Sequence, residues 1–150
     1  MRPFKRILVP VDFSPHSEEA IRYAVDVAQK YGATLTLTHV YQPIAYSVPD
    51  GLVFYTPAQL GELLSELERQ LEQMRVQAEK AGALRVESKM LQGVPSDEVA
   101  ALAKDGGYDL IVMGTHGRTG LRHALMGSVA ERVLRSAPCP VLTVHPPKKD

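Results

Sequence analysis

The chain has little cysteine, no excess charge and no long apolar run, and each shortage removes a class of function. A single cysteine, Cys139, rules out an internal disulfide and a cysteine-based zinc site. Flanked by Pro138 and Pro140, it reads as a small apolar residue rather than a reactive thiol. Seventeen basic residues balance seventeen acidic ones, so the net charge predicts neither a nucleic-acid partner nor a membrane surface. The apolar run Ile7-Leu8-Val9 meets Pro10 and Asp12 at once, too short for a signal-peptide core. Nothing approaches the roughly 18 apolar residues of a membrane helix, and the chain reads as cytoplasmic. There is no G-x-x-x-x-G-K-[ST] and no G-x-G-x-x-G, and the five histidines show no metal-ligand spacing.

What remains has the length and composition of one globular domain over residues 1–150. Strand and helix patterns alternate along it. Ile7-Leu8-Val9-Pro10-Val11 is a continuous apolar run, as in a strand buried on both faces of a parallel sheet. Ser14 and Pro15 then supply an N-cap and a first helical residue. Ala20, Ile21, Ala24, Val27, Ala28 and Tyr31 recur at helical spacing up to Gly32. Leu35, Leu37, His39 and Tyr41 alternate with threonines in a second strand. Residues 42–56 read as a long loop with exposed aromatics, and such loops are functional or mobile. A long helix is expected from about Pro57 to Ala81, with Leu60, Leu63, Leu64, Leu67, Leu71, Met74 and Ala78 along one side. Leu84, Val86 and Met90 mark a third strand, Pro95 opens a short helix, and Asp109–Met113 forms a fourth strand. Ser128 begins a last helix, and Val141–Val144 is a fifth strand.

This alternation predicts an α/β fold: a doubly wound, mostly parallel five-stranded sheet with helices on both faces. If the strand order is 3-2-1-4-5, the order reverses between the first and fourth strands. Ligands bind at that switch point, beyond the carboxyl ends of the strands. The loops converging there are Pro10–Ser14 and the stretch Gly114-Thr115-His116-Gly117, which nine residues separate from Gly127-Ser128. A glycine-bearing loop between a buried strand and a helix N-terminus suits an anion, through backbone N–H groups and the helix dipole. Arg118, Arg122 and His123 in the same loop would offset part of the negative charge. Ser128-Val129-Ala130-Glu131 is also a capping-box pattern, although Glu131 then places a carboxylate in the same helical turn. These residues alone leave phosphate binding and a purely structural turn both open.

The run from Gly114 through Gly117, Arg118 and Gly120 to Gly127-Ser128-Val129-Ala130-Glu131 resembles the universal stress protein family. Nucleotide-binding members share G-x-x-G, nine residues, then G followed by Ser or Thr. The opening Ile7–Asp12 and the closing Ala137–Leu142 also look like the family's two ends, and the likeness spans the chain except for residues 42–56. The resemblance implies a Rossmann-like, adenine nucleotide alpha hydrolase-like fold and ATP as the bound cofactor, with or without Mg2+ or Mn2+. By resemblance, Pro10, Val11, Asp12 and Val40 line the adenine and ribose end, Val11 and Val40 giving apolar faces to the purine. Asp12 would accept from a ribose hydroxyl or help hold a divalent ion; otherwise it is a helix-start carboxylate. Met113 and Gly114 pass beside the ribose. Gly117, Gly127, Ser128 and Val129 surround the phosphates, with Arg118 nearby and Ser14 as a second hydroxyl.

Two function classes follow: a nucleotide-binding sensor or switch in stress response, and an enzyme, a slow ATPase or phosphotransferase. Catalysis needs a base and usually a metal carboxylate at the γ-phosphate, and Asp12, His16, His116 and His123 show no pairing by spacing. Binding is therefore the expectation, with a nucleotide-free dimeric scaffold as a third reading. An apolar edge strand at Val141–Val144 needs covering, and the resemblance implies a homodimer through it. A further protein partner is expected, without identity.

Overall fold

The computed structural model describes residues 3–116 and 126–145. The elements run β1 (Arg6–Pro10), α1 (Pro15–Tyr31), β2 (Thr34–Tyr41), β3 (Ile44–Val48), β4 (Gly51–Phe54), α2 (Pro57–Lys80), β5 (Arg85–Gln92), α3 (Pro95–Asp105), β6 (Leu110–Gly114), α4 (Ser128–Ser136) and β7 (Val141–Val144). The main sheet has five strands in the order β5-β2-β1-β6-β7, all parallel. Counting only these strands, the order is the expected 3-2-1-4-5, and it reverses between β1 and β6.

The burial of β1 follows from its composition. Ile7, Leu8 and Val9 are all 0 % exposed, because side chains of a central strand alternate between two covered faces. Ile7 and Val9 join the layer beneath α1 and α2, whereas Leu8 joins Ile111, Val99, Ala103, Ala130 and Val133 beneath α3 and α4. Each fully buried aliphatic chain contributes roughly 1.5–3 kcal/mol. Two polar threonines are tolerated here because both are paired. Thr36 Oγ1 accepts from the Tyr108 hydroxyl at 2.9 Å, and Thr38 Oγ1 donates to the Lys89 carbonyl at 3.0 Å.

Helix boundaries sit where the local chemistry predicts. Ser14 caps α1 by accepting from the Ser17 N–H, Pro15 opens it, and Gly32 closes it in the left-handed region at φ 67°. Val25, rather than Val27, is among the buried positions of α1. In α2, Thr56 and Gln59 form a reciprocal capping box, but only Leu71 and Ala78 are buried. Leu60, Leu63, Leu64 and Leu67 remain half-buried.

Four expectations are corrected. Residues 42–56 are not an irregular loop: β3 and β4 pair antiparallel there, with Tyr46 opposite Val53 and Ser47 opposite Leu52. The turn between them is Pro49-Asp50, with Gly51 opening β4, residue types that favour a tight reversal. Leu84 is 80 % exposed and precedes β5 rather than belonging to it. The fourth strand of the main sheet ends at Gly114, not Met113. Finally, Ser128 is not the cap of α4. Gly127 holds that position without any side-chain bond, so the Ser128–Glu131 capping box does not form.

The Tyr108–Thr36 bond joins the start of β6 to β2 across the core. Replacing Tyr108 with Phe is expected to lower stability by about 1 kcal/mol, read as a reduced denaturant midpoint at unchanged m-value.

Candidate nucleotide site

The sheet brings the loop after β1 and the loop after β6 to one end, since β1 and β6 are adjacent and parallel. The two loops lie about a hundred residues apart in sequence and meet where the strand order reverses. A purely local reading of either loop could not show this.

The β1–α1 loop is held by a compact hydrogen-bond network. Asp12 Oδ1 accepts from the Ser14 N–H at 3.1 Å and from the Ser17 hydroxyl at 2.7 Å. Ser17 Oγ in turn accepts from the Asp12 N–H at 2.9 Å. Phe13, between them, is a non-glycine residue at φ 65°, a conformation costing about 1–3 kcal/mol that the surrounding bonds must enforce. Its ring packs on His39 with centroids 4.6 Å apart. His39 Nδ1 lies 2.7 Å from the Val11 carbonyl oxygen; a carbonyl only accepts, so this nitrogen carries the proton. His39 is thus a satisfied, part-buried histidine.

Val11 differs from its expected role. Its side chain is 5 % exposed and faces the α1–α2 layer, so it offers no apolar surface to a ligand. Its N–H donates to the Thr38 carbonyl at 2.8 Å and its carbonyl is taken by His39. Val40 is half-buried and packs on the opposite, α3–α4 layer together with Met126. Pro10 ends β1. Ser14 is 4 % exposed and committed to capping α1, which weakens its case as a second phosphate hydroxyl.

On the other side, Met113 is 5 % exposed within the α3–α4 layer. Gly114 is required by close packing. A Cβ there would stand 2.7 Å from His16 Cβ and 3.1 Å from the His16 carbonyl carbon and oxygen. The next residue, Thr115, is fully buried and its carbonyl accepts from the Gly127 N–H at 2.6 Å. This bond fixes where α4 begins. Ser128 and Val129 are exposed at its first turn, where no described side chain caps the helix. Its leading N–H groups have no intrahelical acceptor, so the turn fits an anion by geometry and dipole. Glu131 ion-pairs with Arg135 one turn on, which reduces its opposition to an anion. Gly117, Arg118, Arg122 and His123 lie outside the described residues.

Sequence reasoning overlooked how the histidines gather at this end. The His16 and His116 rings lie 5.5 Å apart, and Thr115 Oγ1 is 3.1 Å from His116 Nδ1 and 3.3 Å from His145 Nδ1. The signal was topological: His16 follows β1, His116 follows β6 and His145 follows β7. A largely apolar recess of about 540 Å³, lined by Phe4, Val27, Tyr31, Leu110, Val141 and Leu142, lies at the opposite end and touches none of the expected site residues.

Comparison with known proteins agrees with this architecture. Residues 3–145 match the model of the universal stress protein family. A universal stress protein of Methanocaldococcus jannaschii is 39 % identical over 153 residues, covering 98 % of this chain and 85 % of the relative. One from Thermus aquaticus is 37 % identical over 148 residues, covering 95 % and 99 %. Among solved structures, the M. jannaschii protein MJ0577 superimposes with TM-score 0.85 at 29 % identity, covering 99 % of this chain and 100 % of that one. A universal stress protein in complex with cAMP superimposes with TM-score 0.74 at 25 % identity, covering 97 % and 100 %.

Burial of the His16 ring and its neighbour His116 hold the His16 pKa below the ordinary 6.5, with Asp12 opposing. An unfolded chain would therefore bind this proton first as pH falls. The resulting loss of stability begins near the unfolded value and is complete below the folded one. His16→Asn is expected to flatten the fall in melting temperature of the free protein below about pH 6.5, measured by thermal denaturation across pH.

Proposed function

This chain belongs to the universal stress protein family, and we propose that it is an ATP-binding member acting as a nucleotide-dependent sensor or switch in stress response. The observation that carries this reading is the uncapped first turn of α4, tied to the residue after β6 by the Gly127–Thr115 bond at the end of the sheet where the strand order reverses. The cAMP complex of a relative supports an adenine nucleotide as the class of ligand.

In this proposal residues 1–150 form one nucleotide-binding domain. Gly127, Ser128 and Val129 receive the phosphates through backbone N–H groups and the Ser128 hydroxyl, with Gly117 and Arg118 completing the loop. Met113 and Gly114 border the ribose. Pro10, Asp12 and Val40 flank the adenine and ribose end, where Val11 contributes loop shape rather than an apolar face. Several charge-assisted hydrogen bonds of about 1.5–3 kcal/mol each support micromolar affinity, about −8 kcal/mol, after association costs. Binding is favoured over catalysis because Asp12 already accepts two hydrogen bonds that hold its loop. No general base is seen paired with a nucleophile among the described residues.

Strand β7 lies at the sheet edge with Leu142 37 % exposed. The apolar recess beside it extends that surface towards α1. Pairing of β7 with its copy across a two-fold axis would cover both, making the protein a homodimer.

The first test is to denature freshly purified protein and identify released small molecules by mass spectrometry. ATP is expected; mostly ADP would favour slow hydrolysis, and an empty protein that also rejects added ATP with magnesium would sink the nucleotide reading. Gly127 has φ −72°, which alanine adopts without strain. Gly127→Ala is therefore expected to weaken ATP binding by about tenfold or more through the lost close approach, as measured by calorimetry. The dimer is checked by light scattering at micromolar concentration, where a monomeric mass would refute it.

A further inference from the structure

The end of the sheet that receives the two loops has several groups that favour an added negative charge and one carboxylate that opposes this need. His16 lies in the first turn of α1, where the positive end of the helix dipole disfavours a cation. Its Nδ1 is buried and has no hydrogen-bond partner among the described residues, so an imidazolium there would hold a donor without an acceptor. His116 stands beside it with ring centroids 5.5 Å apart. Thr115 links this pair to the end of β7 through His145. The Thr115 hydroxyl has one proton to donate and is fully buried. The described charged or titratable groups facing His16 are Asp12 from the β1–α1 loop, His116 after β6 and His145 after β7. Asp12 alone favours the cation, and its Oδ1 is shared with Ser14 and Ser17.

We propose that this imidazole cluster couples nucleotide binding to proton uptake: a phosphate bound at the first turn of α4 draws a proton onto His16, and affinity rises as pH falls. The inference rests on the nucleotide reading above. The distance between the two sites is set by two contacts. Gly114 places His16 against the end of β6, and Thr115, the next residue, accepts from Gly127 at the start of α4. An anion there is favoured by the dipole of α4 and adds a negative charge at the end of the sheet where His16 sits, which favours its imidazolium form. In the free protein the burial of His16 and its neighbour His116 lower its pKa below the ordinary value. Binding therefore takes up a proton between the higher pKa of the complex and the lower pKa of the free protein. Within that window each pH unit changes affinity by up to about tenfold.

The test is calorimetric titration of the full chain with ATP at several pH values from about 8 to about 6, in buffers of different ionisation enthalpy. Wild type and His16→Asn are compared, so that protonation of ATP itself cancels. The expected result is net proton uptake in the wild type and a steeper gain in affinity on acidification than in His16→Asn. Equal proton counts and equal pH slopes, with ATP bound by both, would overturn the coupling and leave the nucleotide site intact. Failure of the wild type to bind ATP at any pH would instead remove the nucleotide reading and the coupling with it. Should His16→Asn not fold, the histidine Cε1–H resonances of the wild type are titrated with and without ATP. An ATP-induced rise of about one unit in the His16 midpoint is expected; an unmoved midpoint refutes the proposal.

Discussion

The missing side chain at Gly114 lets the first turn of α1 lie directly against the end of β6, with His16 where a Cβ would stand 2.7 Å from its own. That approach sets the width of the crevice between the two loops. A larger residue would push α1 outward and with it the Asp12–Ser14–Ser17 network, which is built on the same turn. It would also separate His16 from His116. The parallel sheet supplies the frame, but this contact fixes the distance between the loops that follow β1 and β6.

Much of the frame was legible because buried parallel strands leave a plain mark. Ile7-Leu8-Val9 is uninterrupted by polar residues because both faces of β1 are covered. The caps at Ser14 and Gly32 were equally direct, since each residue type satisfies a specific backbone need. The β3–β4 hairpin was missed for a different reason. It makes its own two-stranded sheet, and Tyr46, Val48, Leu52 and Phe54 are all exposed, so apolar-in, polar-out alternation is absent. Its mark was instead the turn chemistry of Pro49-Asp50-Gly51 between two β-prone runs.

At the candidate site the convergence of the β1–α1 loop and the start of α4 followed from the strand order, but Ser128 was assigned a cap that Gly127 holds. The difference is one residue, and its consequence is chemical. A serine cap would satisfy a leading N–H of α4 itself, whereas a glycine cap leaves those groups to an external acceptor. Val11 shows the converse case. Strand alternation decides which layer a side chain enters, and Val11, two residues after Val9, enters the same α1–α2 layer as Ile7 and Val9. The period-2 pattern thus already carried the burial that the apolar-face reading of Val11 overlooked.

The same reasoning separates holding a nucleotide from cleaving it. Hydrolysis requires a base free to take a proton from water and charge stabilisation that grows in the transition state. At this end of the sheet Asp12 works as a structural acceptor, binding a backbone N–H and a buried hydroxyl that keep Phe13 in a left-handed conformation. The His16 and His116 rings lie beside each other, and His116 and His145 share Thr115 between them. Through its hydroxyl and its carbonyl Thr115 thereby joins the residue after β6 to the end of β7 and to the start of α4, so that the three elements share one buried side chain at this end of the sheet.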